Sequence, residues 1–246
     1  MKIVFMVGNG LDLHLGLKTR YSDFYSWHKE HYPDVHNQIF DAIDKDKADW
    51  ADYESGWCKC CRETLGSGGD KASVDAQESF LDASDEVSRE LRFFLLEQIK
   101  ELKVPAVQER TEIVNQTLLH LLSGLQTDDV SDINSKINKL AASHLSLEIV
   151  DFNYTNSLVS LISGVKNLQV NGRFRTANSA GANLGASLDG HIHVHGTLDE
   201  AMIVGADNAD QVGVHTFSQD NQRYVVKSQA MRVGKHSQIK IRRKVG

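Results

Sequence analysis

The chain opens Met1-Lys-Ile-Val-Phe-Met-Val-Gly-Asn-Gly10, an apolar run over residues 3–7 that breaks into Gly8-Asn9-Gly10. Consecutive apolar residues rich in Val and Ile predict a strand covered on both faces, as strands of a parallel sheet are. Glycines on either side of Asn9 permit positive φ and let a ligand approach the main chain without meeting a Cβ. Leu11-Asp12-Leu13 then predicts the start of a helix whose free N–H groups face the loop. Ligands of such sheets bind beyond the carboxyl ends of the strands, so this junction is the first candidate for a site. The spacing is not the dinucleotide fingerprint G-x-G-x-x-G, because Leu13 stands where its third glycine belongs. A tight strand-to-helix turn without a ligand accounts for the same stretch.

Two later stretches share this form. Leu147-Glu-Ile-Val-Asp-Phe152 reads as a strand ending in Asn153-Tyr154-Thr155-Asn156. In His191-Ile-His-Val-His195-Gly196, strict alternation puts His191, His193 and His195 on one strand face. Imidazoles two residues apart are close enough for a pair to hold one metal, while a hydrogen-bonded polar face needs none. Leu168–Val170 and Met202–Val204 are expected as further short strands, and Asn171 to Leu188 as a loop rich in Gly, Ala, Asn and Ser.

Helical signals fill the interval after the first junction. Thr19 or Ser22 is placed to cap a helix carrying Tyr21, Phe24, Tyr25, His28 and Tyr32, which Pro33 stops. Residues 34–84 read as irregular and polar, with the patch Trp50-Ala51-Asp52-Tyr53-Glu54 and a flexible Gly66-Ser67-Gly68-Gly69 loop. Three amphipathic stripes follow, from Val87 to Leu102, from Val114 to Leu125 and from Val130 to His144, and they are expected to bury one another. The fold class is therefore α/β: a Rossmann-like, mainly parallel sheet with a large helical insertion, about residues 34–145, after the first strand.

Composition bounds the function. With 24% charged and 41% apolar residues, the 246-residue chain resembles an ordinary soluble protein. No apolar run approaches the roughly 18 residues of a membrane span, and no secretory signal is evident, so a cytoplasmic location is expected. Cys58, Cys60 and Cys61 have no other cysteine to pair with, and their spacing is not that of a zinc knuckle. The net charge is −6, but residues 228–246 hold six Lys or Arg and no acid, leaving −12 on residues 1–227. A body this acidic is a poor partner for nucleic acid, and the basic stretch is expected to be a peripheral tail.

The opening GNGLDLHLGLKTRYSDF, the patch WADYE, the segment DFNYTNSL and the segment HIHVHG followed by IVG resemble, in their order and spacing, the AbiH family of bacteriophage abortive-infection proteins. The resemblance covers most of residues 1–227. That family is in turn similar, at a distance, to sirtuin-like NAD-binding domains, several of which hydrolyse NAD in bacterial defence. The resemblance implies a cytoplasmic antiphage protein that binds, and hydrolyses, NAD or a related nucleotide. Carried over by motif, Gly8, Asn9, Gly10 and Asp12 lie in the nucleotide loop with Asn156 and Gly196 as further binding positions. Asn153 then orients ribose and water, and His195 is the base. No metal, membrane or specific nucleic acid is expected. A phage-derived trigger and a homo-oligomer are left open as partners. Departures are Asn9 and Asp12, where the sirtuin-like loop carries small residues and Ser, and Thr155 or Asn156, where an Asp often follows the Asn. Two other readings stay open: a nucleotide-sensing or partner-binding module without turnover, and a metal-dependent hydrolase using His191, His193 and Asp12.

Overall fold

The apolar run at the start of the chain forms strand β1 (Lys2–Val7), and it is followed at once by the short helix α1 (Gly10–His14). Helices α2 (Tyr21–His31), α3 (Gln38–Asp44), α4 (Tyr53–Leu65), α5 (Val74–Lys100), α6 (Val107–Leu119) and α7 (Thr127–Lys139) come next. Strand β2 (His144–Asp151), helix α8 (Ser157–Ile162), strand β3 (Leu168–Val170) and strand β4 (Leu184–His193) complete the order. The computed structural model describes residues 2–45, 53–65, 73–119, 124–139, 144–165, 168–170, 184–200, 202–206 and 211. The Gly66–Gly69 loop, Trp50–Asp52, most of the Asn171–Leu188 loop and the basic stretch 228–246 lie outside these residues. The chain divides into two compact units, Met1–Leu11 with Leu102–His193 and Asp12–Glu101 with Val194–Gly246.

The first unit is mixed α/β. Its sheet has the order β1-β2-β4-β3, with β1, β2 and β4 parallel and β3 antiparallel at the edge. Register places Phe5 beside Ile149 and Ile149 beside His191, so these share one face; Met6, Val150 and Ile192 share the other. On the first face Phe5, Val7, Ile149 and Leu158 border an apolar cavity of about 240 Å³ reached also by α6. On the second, Val4, Met6 and Ile192 are 50%, 75% and 60% exposed. The expectation that β1 is covered on both faces is thus corrected. The strand alternates between exposed and half-buried positions, because among the described residues α6 and α8 border one face of it.

In the second unit the described residues up to Glu101 are mainly helical, and residues 194–200 and 202–206 carry no helix. Phe24 of α2 meets Phe40 of α3 and Phe94 of α5, both at 5.7 Å between ring centroids. Its boundaries follow from capping. The Asn37 side chain accepts from the Ile39 amide at 2.9 Å to start α3, and Ser73 accepts from Ala76 to start α5. Neither Thr19 nor Ser22 caps α2: Arg20 holds that position, with its amide donating to Asp23. Gly16, at φ 83°, closes α1, with Gly16 N–H donating to the Leu13 carbonyl and Leu17 N–H to that of Asp12.

Residues 34–84, expected to be irregular, instead hold α3, α4 and the first turns of α5. The buried face of α4 consists of Tyr53, Gly56, Trp57, Cys58, Cys60, Cys61 and Leu65, and α5 buries Gln77 and Ser84 among its apolar positions. A search for Leu, Ile and Val periodicity passes over such faces. Burial pushes the Cys60 and Cys61 thiols up, away from the thiolate form that binds metals. Of the three later stripes, the first lies on α5 in the second unit, and the other two lie on α6 and α7 in the first. His144, read as the end of the third stripe, begins β2. Among the described residues Met202–Val204 forms no strand; Ile203 N–H donates to the His195 carbonyl, and Ala206 makes an isolated bridge. Leu184 to Leu188, assigned to a loop, form the first half of β4.

Candidate functional site at the strand ends of the first unit

Parallel register brings the carboxyl ends of β1, β2 and β4 side by side: Val7 opposite Asp151, and Asp151 opposite His193. Phe152 N–H still donates to the Val7 carbonyl at 2.9 Å, which holds β1 and β2 together past the last paired residues. The chain then turns on Asp151, whose Oδ1 accepts from Asn153 N–H at 2.9 Å. This side-chain-to-backbone turn points the Asn153 amide at β1, where Nδ2 donates to the Gly8 carbonyl at 3.2 Å. Leu11 N–H donates to the same carbonyl at 3.1 Å, so one of the amides expected to face the loop is satisfied within it.

Neither Gly8 nor Gly10 is at positive φ, and a Cβ built on either meets no atom within 4 Å. The turn itself therefore does not demand glycine, a correction to the conformational reading of this loop. Both residues and Asn9 are exposed. Asn153, at 5% exposure, is buried. Asn156 supplies the carbonyl that accepts from Ser160 N–H at the start of α8, and its side chain makes no cap hydrogen bond there.

Asp151 is the residue that sequence reading missed. It is fully buried, at 0% exposure, on the face shared with His191 and His193. Its Oδ2 lies 3.3 Å from His191 Nε2 and 3.7 Å from His193 Nδ1. His193 Nδ1 is also 3.2 Å from the Asn153 carbonyl, and the two rings meet edge to face at 4.5 Å. Among the described residues His193 Nε2 is buried without a hydrogen-bond partner. A buried carboxylate is costly unless its charge is matched, and here the groups facing it are one backbone N–H and two imidazoles. The signal was present: Leu147, Ile149 and Asp151 alternate on one face, but only register shows which residues of β4 they meet.

The remaining expected site residues lie in the second unit. Asp12 is buried within α1, 1% exposed. His195 is half-buried just beyond β4, and Gly196 follows at φ 77°. The carboxylate that the structure places beside His191 and His193 is Asp151, where the sequence-based metal reading took Asp12. The expected set is thus divided, with Gly8, Asn9, Gly10, Asn153 and Asn156 in one unit and Asp12, His195 and Gly196 in the other.

Among the described residues no helix is long and apolar enough to cross a membrane. Neither the search of curated proteins nor that of solved structures finds a match. The family model described as bacteriophage abortive infection AbiH matches residues 4–244, which runs past residue 227 into the basic stretch. With nearly its whole length matched, from the Gly8 junction through the histidine strand and beyond, the chain belongs to the bacteriophage abortive infection AbiH family.

Proposed function

We propose that this AbiH protein acts in the cytoplasm by binding NAD or a related nucleotide at the strand ends and hydrolysing its N-glycosyl bond, so that phage infection is aborted by loss of the nucleotide. The observation that carries the reading is the pairing of Asn153 with the Gly8 carbonyl across the carboxyl ends of two parallel strands, at 3.2 Å. Open α/β sheets bind ligands at that place, and in this proposal the parallel part of the sheet is Rossmann-like. Open space above Gly8 and Gly10 gives a ligand access to the backbone. Asn153 combines a donor and an acceptor in one amide, which suits it to orient ribose hydroxyls and water.

Breaking the bond between a ribose and its base passes through an oxocarbenium-like state, which needs an oriented water and a proton acceptor. This proposal gives that role to His195, as the resemblance to sirtuin-like domains implies. A positioned acid or base contributes roughly 100- to 10,000-fold to a rate. His195→Ala should therefore remain folded and lose turnover by that order, and Asn153→Ala should lose it too. Gly10→Val should weaken nucleotide binding. The assay is consumption of NAD by purified protein and in cells, with and without phage. If the wild type never consumes NAD, ATP or a related nucleotide under infection, the enzymatic reading fails and a sensing module replaces it. If it consumes NAD and both variants remain active, the reaction stands and the residue assignment falls.

A further inference from the structure

The geometry points to a divalent-metal site of the two-histidine, one-carboxylate type formed by Asp151, His191 and His193, taking a first-row transition cation. One donor atom from each of the three residues lies within 4.8 Å of the others. A metal held about 2.1 Å from each ligand, at angles of about 90–120°, sets neighbouring ligand atoms roughly 3.0–3.6 Å apart. The carboxylate oxygen stands 3.3 Å from His191 Nε2 and 3.7 Å from the nearer nitrogen of His193, Nδ1, and side-chain rotation brings the three groups to ligand spacing.

The competing account is a hydrogen-bonded Asp–His cluster without metal. Charge-assisted N–H···O bonds to carboxylates close to about 2.7–2.9 Å. The buried His28–Glu90 contact elsewhere in the chain reaches 2.6 Å, whereas neither imidazole approaches Asp151 nearer than 3.3 Å. His193 supplies a second, independent observation. Its Nδ1 has the Asn153 carbonyl at 3.2 Å, but Nε2 is buried and unsatisfied. Without a metal neither tautomer of His193 satisfies both nitrogens among the described residues, whereas a metal on Nε2 leaves Nδ1–H to donate to the Asn153 carbonyl, so Nε2 is the ligand atom of this proposal. The supporting contacts are of the kind that orient metal ligands: the Asp151 carboxylate is fixed by Asn153 N–H, and His193 faces a backbone carbonyl. Two parallel strands, which hold their ends rigidly, carry all three ligands.

The donor set chooses the cation. Imidazole with one carboxylate suits Mn, Fe, Co, Ni and Zn, whereas Mg and Ca prefer all-oxygen sites. Cys58, Cys60 and Cys61 do not enter this set, being buried on α4 of the other unit.

The inference does not rest on the nucleotide reading, because it is tested without nucleotide. The full-length protein, stripped with a chelator and dialysed, is titrated calorimetrically with Mn²⁺ and Zn²⁺, with Mg²⁺ for comparison. One ion per chain is expected, with Mg²⁺ at least about 10-fold weaker. His191→Gln and His193→Gln should each lower affinity by about 100-fold or more, beyond the roughly 10–100-fold cost of losing an outer-shell partner. His14→Gln, an exposed histidine on α1, should leave it unchanged. Far-UV circular dichroism establishes that each variant is folded. Should the variants not fold, Co²⁺ added to wild type decides alone: visible d–d bands without thiolate charge-transfer absorption, abolished by one equivalent of Zn²⁺, mark a histidine–carboxylate site. Absence of stoichiometric binding in wild type, undiminished binding in the folded histidine variants, or a thiolate signature would overturn the proposal. Metal binding without NAD consumption would leave this site standing and remove only the hydrolase.

Discussion

Replacing His28 with Phe isolates the cost of a buried charge in the helical unit. His28 Nδ1 lies 2.6 Å from Glu90 Oε2, with side-chain exposures of 5% and 8%. The imidazole stacks on Phe40 with 4.0 Å between centroids. Phenylalanine keeps the ring and its stacking, so the loss is confined to the polar contact, and Glu90 is left buried without its histidine. Removing one partner of a buried pair costs about 3–5 kcal/mol. The retained packing argues for the lower end, about 3 kcal/mol. At about 2–4 °C per kcal/mol for a domain of this size, Tm should fall by about 6–12 °C.

The same variant carries a pH signature. Burial raises the Glu90 carboxyl above its ordinary range, and His28 opposes that rise. A carboxyl raised in the folded state contributes stability that is present below its unfolded value and lost as pH rises through the folded value. Without His28 the carboxyl is raised further, so the cost of His28→Phe should be small in acid and grow from the ordinary carboxyl range toward neutrality. Thermal melts at several pH values read this directly. Adding Glu90→Leu should recover most of the stability, since an apolar pair of similar volume commonly matches a buried ionic one. The reasoning is refuted if His28→Phe costs less than about 1 kcal/mol at neutral pH, or if Glu90→Leu destabilises it further.

Two further expectations concern the backbone and the thiols. Gly8→Ala meets no clash and no left-handed φ, so denaturant unfolding should change by no more than about 0.5 kcal/mol, whereas Gly16→Ala, at φ 83°, should cost about 1–2 kcal/mol. Cys58, Cys60 and Cys61 are buried, with the Cys60 and Cys61 thiols pushed up by desolvation; a chromogenic disulfide reagent should react slowly with native protein and with all three thiols after unfolding.

The places where strands end were legible in the sequence to within two residues: the reading ended runs at Val7, Phe152 and His195, and the strands end at Val7, Asp151 and His193. Asn153 could be chosen on that ground. Asp151 could not, since its importance lies in a neighbour 40 positions away in sequence, His191, and parallel register is a tertiary fact. Periodicity also hid α4, whose buried face is built from Trp57, Gly56 and three cysteines. Asp12 and His195 read as parts of one site because each follows a strand; the division of the chain at Leu11 and again at His193 is written in no local pattern.

The five apolar residues that opened the reading turn out to carry two messages in alternation. Ile3, Phe5 and Val7 face the side on which α6 and α8 pack, while Val4 and Met6 face outward. The demand of packing therefore falls on every second residue of β1. A polar residue at Val4 or Met6 would change what the surface adheres to while leaving the packed side as it is.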